Sequence, residues 1–318
     1  SQQAISTLIN PPFALSLVFL ISGLIFLLKL QQKFSKADKL QASLIFYFLF
    51  SILLFGLLIQ IKAYAALLAF AGLFVVGIWQ LLYKKQLYSL LILLITLPIA
   101  LLLSLPLNKM SSGLIVFQPF WFLETMMSYT DRVGWTKFYE AMTTYRFGGI
   151  FLKAIPAYIL AFAIFWFGNL GTRALKEILV FKWIKEPRTI DFLGIFSGTV
   201  IFAGVVLSMF FVQRGTPWNT IQFVYYSLFF SGILAGIAVG EWMEKTRYRL
   251  VLGFAVVILT IPTTFVTLTT VYLPSRAPAK ISHNELAALT FLKDQPDGTV
   301  LTYPFDKGAA DLAVANPP

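Results

Sequence analysis

The 318-residue chain contains eight runs of 17 to 23 mostly apolar residues, at about 12–28, 40–61, 63–83, 87–107, 154–171, 190–212, 220–240 and 250–272, each with few or no charges. About 20 such residues, wound as helix, cross the roughly 30 Å of hydrocarbon in a bilayer. Lipid offers no hydrogen bonds to a bare backbone, so only helices and closed barrels span it. Barrel strands alternate apolar and polar residues, and these runs do not. Composition agrees: 58% of residues are hydrophobic and 12% charged, with a mean hydropathy of +0.79, whereas soluble domains are near a quarter charged. The expected fold is an all-α polytopic membrane protein of about eight transmembrane helices, followed by the start of a small extracytoplasmic α/β segment.

Between the second and third runs, GLLIQIKAYAALL has only Gln60 and Lys62 as punctuation. One helix over 40–83 would be about 66 Å long, twice the bilayer thickness, so a tight hairpin is expected there. Lys62 then lies at a membrane face, either snorkelling along its stem or joining a substrate-binding surface. The chain opens on Ser1 with no basic n-region and no small-residue cleavage site, so the first run does not read as a signal peptide. The transmembrane domain is expected over 1–275 and a truncated soluble domain over 276–318. In that tail Ser282 and Glu285 have capping-box spacing, and Leu286, Leu289 and Leu292 have helical spacing. PDG at 296–298 then reads as a turn and TVLTYP as a strand. A unit that stops there reads as a piece of a longer protein.

Charge sets the expected orientation. With eight spans, one side collects fourteen lysines and arginines and the other side, before the tail, seven. Positive residues in short loops mark the cytoplasm. The chain's N-terminus, the 108–147 loop, the stretch QRGTPWNTIQ (213–222) and the C-terminal segment are therefore expected outside a cell membrane. Cysteines introduced singly as Ser112→Cys and Ser275→Cys should label from outside intact cells, and Ser35→Cys and Lys185→Cys should not; the reverse pattern overturns this orientation. The net charge of +11 is scattered along span ends rather than gathered on a soluble face among aromatics, which excludes nucleic acid as a partner.

Two external stretches carry hydrogen-bonding chemistry. In the 108–147 loop, Trp135, Phe138, Tyr139 and Met142 recur at helical spacing, with Lys137, Glu140 and Thr144 away from them. Such a helix suits the membrane interface, or it is a lid that caps the bundle. Glu124, Asp131 and Glu140 are the acidic residues of that loop, and Trp121 and Trp135 are planes a sugar can stack on. In QRGTPWNTIQ, the planar fork of Arg214 suits a phosphate, Trp218 offers another plane, and Asn219 and Gln222 share a helix face. Pro217 at a helix start adds free N–H groups that attract anions. Arg214 at a membrane boundary also fits simple snorkelling. On the same helix Gly232, Gly236 and Gly240 repeat every four residues, the spacing of a close-packing stripe.

Several classes find no support. There is no cysteine, and the single histidine, His283, lies in the tail. No Walker loop, GxGxxG or HExxH occurs. The acidic residues Asp191 and Glu241 fall at span ends, not mid-span as in a proton-coupled pump.

NPPFALS leading into a span, GLLIQIKAYAALL as a span pair, RGTPWNTIQFVYYSLFFSGILAG, and ELAALTFLKDQPDGTVLTYP after the membrane part together resemble the C-type superfamily of integral-membrane glycosyltransferases, in its broad bacterial branch. The resemblance implies an enzyme of the cell envelope. It would move a sugar from a polyprenyl-phosphate donor to a glycan, lipid or protein acceptor on the extracytoplasmic side. Its main catalytic acid would lie in an external loop upstream of Ser1, with Glu124 or Asp131 assisting. Arg214 would hold the phosphate, helped by Asn219, Gln222, Trp218, Trp121, Trp135 and Lys62. A divalent ion, magnesium or manganese, would sit with Glu124 or Asp131 and the upstream acid. The rival expectations are a lipid-linked sugar flippase and a non-catalytic scaffold.

Overall fold

A computed structural model describes residues 10–34, 42–104, 115–130, 132–213, 217–269, 283–296 and 298. In chain order, the first four helices are α1 (Pro11–Phe34), α2 (Ala42–Ile61), α3 (Ala63–Lys84) and α4 (Tyr88–Ser104). A short strand β1 (Ile115–Phe117) leads to α5 (Trp121–Ser128), α6 (Thr136–Phe147), α7 (Phe151–Leu170) and α8 (Glu177–Lys185). Then come α9 (Phe192–Phe210), strand β2 (Phe211–Gln213), α10 (Gln222–Lys245), α11 (Arg249–Thr267) and α12 (His283–Lys293). Among the described residues seven helical segments are long and apolar enough to cross a membrane, and the 17-residue α4 is a shorter apolar helix. The protein is an all-α polytopic membrane protein, as the run lengths predict. Residues 1–264 and 265–318 form separate compact units. The helix expected from Leu286, Leu289 and Leu292 is α12, while Ser282, the side chain of Glu285, Asp297 and the expected strand lie outside the described residues.

The hairpin expected at 60–62 is present in its shortest form. Lys62 alone, with extended backbone at φ −160°, separates α2 from α3. Its ammonium stands 5.5 Å over the Tyr64 ring.

The first unit has two buried cores that share α9 and α10. One gathers α1–α4 against them around Phe13, Phe55, Phe196 and Tyr226. The other is built by α5, α6 and α7 around Trp121, Met127, Met142 and Phe165. Two buried hydroxyls of the first core reach across helices for partners, whereas the hydroxyls of Ser89, Thr96, Ser197 and Ser231 are buried with no partner among the described residues. Tyr226 Oη and Ser16 Oγ lie 2.6 Å apart, and Ser227 Oγ donates to Ile201 O at 3.0 Å. Large apolar side chains such as Leu94, Leu102 and Leu152 stay exposed on the outer faces, where a soluble protein would not leave a continuous apolar belt.

Three expectations change. The region 172–189, expected as a loop, is mostly helical: a 3-10 turn over Gly171–Lys176 continues into α8. Its EILVFKWIK sequence buries Leu179 in the first core, so the run of helix extends over Phe151–Lys185. Among the described residues, the stripe of Gly232, Gly236 and Gly240 makes no close helix crossing. Nothing lies within 4 Å of a Cβ built on Gly236 or Gly240, and beside Gly232 only the Arg173 side chain comes that near. Close approach belongs instead to Gly72, Gly77 and Gly204, where a Cβ would meet Phe196, Leu90, and Ser227 with the backbone of Phe223. Finally, the amphipathic helix of the external loop is α6, but Met142 in its stripe is fully buried by protein, not by headgroups. Lys137, Glu140 and Thr144 are exposed as its period predicts, so α6 caps the bundle.

Candidate functional site

The long loop and the polar stretch meet by strand pairing. β1 and β2 run antiparallel, with Val116 opposite Val212. The ladder continues through Gln118 N–H to Phe210 O and Phe120 N–H to Met209 O, both 2.8 Å. Tyr64 Oη donates to Gln213 Oε1 at 2.9 Å. The Lys62 turn, the 115–147 region and the start of QRGTPWNTIQ therefore share one end of the bundle, as the alternation of spans predicts.

Phe120 ends this ladder in the left-handed region, at φ 67°, a conformation that costs a residue with a Cβ about 1–2 kcal/mol. The sharp turn starts α5, and one helical turn on, Glu124 faces α6 and α7. There Glu124 Oε1 accepts from Arg146 Nη1 and from Tyr158 Oη, each at 2.5 Å. Arg146 Nη1 also donates to Pro119 O at 3.2 Å, and its guanidinium lies 5.4 Å from the Phe120 ring centre. Gly149, at φ 71°, closes the turn from α6 to α7, which keeps Arg146 and Tyr158 on neighbouring helix ends. Burial alone would make the Arg146 guanidinium easier to deprotonate; the Tyr158 hydroxyl and the Glu124 charge outweigh it and hold its pKa above the ordinary value.

Two members of this triad, Arg146 and Tyr158, line an apolar cavity of about 540 Å³ between α7 and α9, together with Phe120, Phe162, Phe202 and Met209 among others, and Glu124 stands behind them, bonded to both. Phe202 is 71% exposed, so the cavity is open sideways, toward lipid. The arrangement offers a fixed cation and a phenol, with a carboxylate behind them, at the wall of a space suited to hydrocarbon.

The residues expected at the site are distributed as follows. Glu124 is central to it. Trp121 is buried in the second core, its indole Nε1 donating to Phe211 O at 2.8 Å. Trp135 is half exposed before α6, its ring 4.8 Å from that of Phe138. Gln222 Nε2 donates to Asn219 Oδ1 at 3.3 Å, which puts both amides on one face, while Gln222 Oε1 is buried without a hydrogen-bond partner. Lys62 joins the same end through Tyr64, and burial lowers its pKa. Asp131, Arg214 and the side chain of Trp218 lie outside the described residues. Arg146 and Tyr158 belong to no motif in the sequence, and their one signal is that Tyr158 is the only hydroxyl in the 154–171 run.

Among the described residues no group of three or more His, Asp or Glu side chains is placed to hold a metal ion. Glu124 Oε1 already carries a guanidinium and a phenol, a donor set that does not fit a divalent cation. Comparison with protein-family models, with curated proteins and with solved structures finds no match for this chain.

Proposed function

We propose that the protein is a membrane glycosyltransferase that takes a sugar from a polyprenyl-phosphate donor at the end of the bundle where Glu124 lies, the extracytoplasmic end by the charge asymmetry of its loops. The observation that carries this reading is the sideways-open apolar cavity whose wall bears Arg146 and Tyr158, both held by Glu124. A polyprenyl chain reaches such a cavity from the bilayer without leaving hydrocarbon. Its phosphate then arrives beside Arg146.

The reaction needs few groups. The acceptor hydroxyl oxygen bonds to the anomeric carbon, and the bond from that carbon to the phosphate oxygen breaks. The phosphate leaves with the electron pair, and the acceptor proton passes to a carboxylate. Arg146 stabilises the charge that grows on the leaving phosphate. Glu124 fixes the Arg146 fork and presents its remaining oxygen to the acceptor, and Asn219 and Gln222 orient sugar or phosphate oxygens.

The test is purified full-length protein in nanodiscs with a polyprenyl-phosphate sugar and membrane extract as acceptor source, followed by mass spectrometry. Free polyprenyl phosphate should accumulate with wild-type protein and not without it. One observation favours a flippase instead: Phe162, Phe202 and Val205 are walls shared with a second cavity toward the opposite end. In sealed vesicles a flippase would change the side on which the lipid-linked sugar is exposed, with the donor left intact. That outcome would replace the transferase reading.

A further inference from the structure

The second cavity, of about 690 Å³, lies between α7, α8 and α9 at the end of the bundle opposite Glu124. Its walls are mostly apolar, with the Thr199 hydroxyl turned to its own helix at Ile195 O and one charged pair. Lys176 is 3% exposed and pairs with Glu177, and both line the space. Trp166 fixes the pair from one side: its indole Nε1 donates to Glu177 Oε1 at 3.3 Å, and the Lys176 ammonium stands 4.9 Å over its ring. Above the pair, Gly198 of α9 borders open space, with nothing within 4 Å of a Cβ built there.

Taking an ammonium and a carboxylate out of water is costly unless the remaining donors and acceptors are met. An ammonium has three donors and a carboxylate about four acceptor positions, more than one mutual contact and one indole use. The cavity thus presents both charge signs, fixed side by side, at the foot of an apolar space. A net anion would add an unbalanced charge to this neutral pair. A ligand carrying its own phosphate and ammonium would instead complete an alternating ring of four charges, with no net charge buried.

We propose that this cavity binds one zwitterionic glycerophospholipid, a phosphatidylethanolamine, with its phosphate at Lys176, its ammonium at Glu177 and its chains along Phe162, Phe202 and Val205. The primary ammonium matters because it donates hydrogen bonds to Glu177. The site is at the other end of the bundle from the sugar-transfer cluster and stands whether or not that reading holds.

The test is lipid retention. Full-length protein is equilibrated in vesicles of equal parts phosphatidylethanolamine and phosphatidylglycerol, extracted in mild detergent and weighed by native mass spectrometry. Wild-type protein should retain one phosphatidylethanolamine with a preference of about fivefold or more, equivalent to about 1 kcal/mol. Lys176→Gln should erase the preference. Gly198→Phe fills the open space without touching either charge, and should cut retention by about fivefold or more, with the melting temperature of both variants measured alongside. Equal or preferred retention of phosphatidylglycerol by the wild type, or undiminished retention in Gly198→Phe, overturns the proposal.

Discussion

Glu124→Gln should lower sugar transfer by about a hundred- to ten-thousand-fold, the range associated with a positioned proton acceptor, while the protein stays folded. The amide keeps an oxygen where the Tyr158 and Arg146 donors point, so the geometry of three helix ends is retained. It loses the charge, and hydrogen bonds to a neutral acceptor are weaker by about 1 kcal/mol. Arg146→Lys tests the other half of the cluster. A lysine ammonium is a compact point charge on a flexible stem and lacks the rigid plane that places Arg146 Nη1 between Glu124 Oε1 and Pro119 O while leaving the other guanidinium nitrogens for a phosphate. Turnover should fall about thirty- to thousand-fold, for a transition-state contact of about 2–4 kcal/mol. Stability should fall too, by about 2–3 kcal/mol. That is less than for a fully buried pair, because the Arg146 and Glu124 side chains remain 26% and 17% exposed. Turnover of both variants, normalised to the folded fraction from a detergent melt, separates the two effects. Near-normal turnover in folded Glu124→Gln would make the triad a structural clasp and remove the transferase assignment from this cavity.

What the sequence made legible and what it hid divide along range of interaction. The all-α membrane class and the Lys62 hairpin follow from run length against bilayer thickness, a one-dimensional constraint, although seven helical segments among the described residues, not eight, are long enough to cross. The shared end of the 108–147 region and QRGTPWNTIQ follows from counting alternate spans, and Tyr64, Gln213 and the β1–β2 ladder bear it out. The exposed face of α6 follows from its period. What covers its apolar stripe does not, since protein and lipid interface favour the same residues. The triad was hidden because its members are 22 and 34 residues apart. Their meeting depends on two turns, at Phe120 and Gly149, that no apolar pattern announces. The glycines show the same limit. Gly232, Gly236 and Gly240 have the spacing of a packed stripe, but spacing only says that three residues share a face, not that a helix lies across it. Gly204 stands in no such repeat and makes the close contact.

That contact carries a stability effect comparable to the one expected at Arg146. Gly204 sits in the middle of α9, where α10 crosses so closely that a Cβ would lie 2.7 Å from the Phe223 carbonyl oxygen and in collision with Ser227 Oγ. The obstacle is backbone, not the end of a flexible side chain, so relief requires the two helices to separate. Separation also breaks the Ser227 Oγ to Ile201 O bond, in a region with no water to replace it. Gly204→Ala should cost about 1–3 kcal/mol from overpacking, and Gly204→Leu more than that. Gly236→Ala, by contrast, adds a methyl into open space on an adjacent helix and reduces backbone freedom in the unfolded chain, so it should be neutral or stabilise by about 0.5–1 kcal/mol. Side-by-side thermal unfolding in detergent should therefore place Gly204→Ala about 5 °C below wild type and Gly236→Ala at or above it. The displacement also reaches the site: Val205 and Phe202, which line the Glu124 cavity, flank Gly204 on α9. Folded Gly204→Ala should lose affinity for a polyprenyl-phosphate sugar even though residue 204 itself does not line that cavity. If Gly204→Ala melts with wild type while Gly236→Ala falls, the α9–α10 crossing is not where the chain packs most tightly, and the placement of α9 along the cavity goes with it.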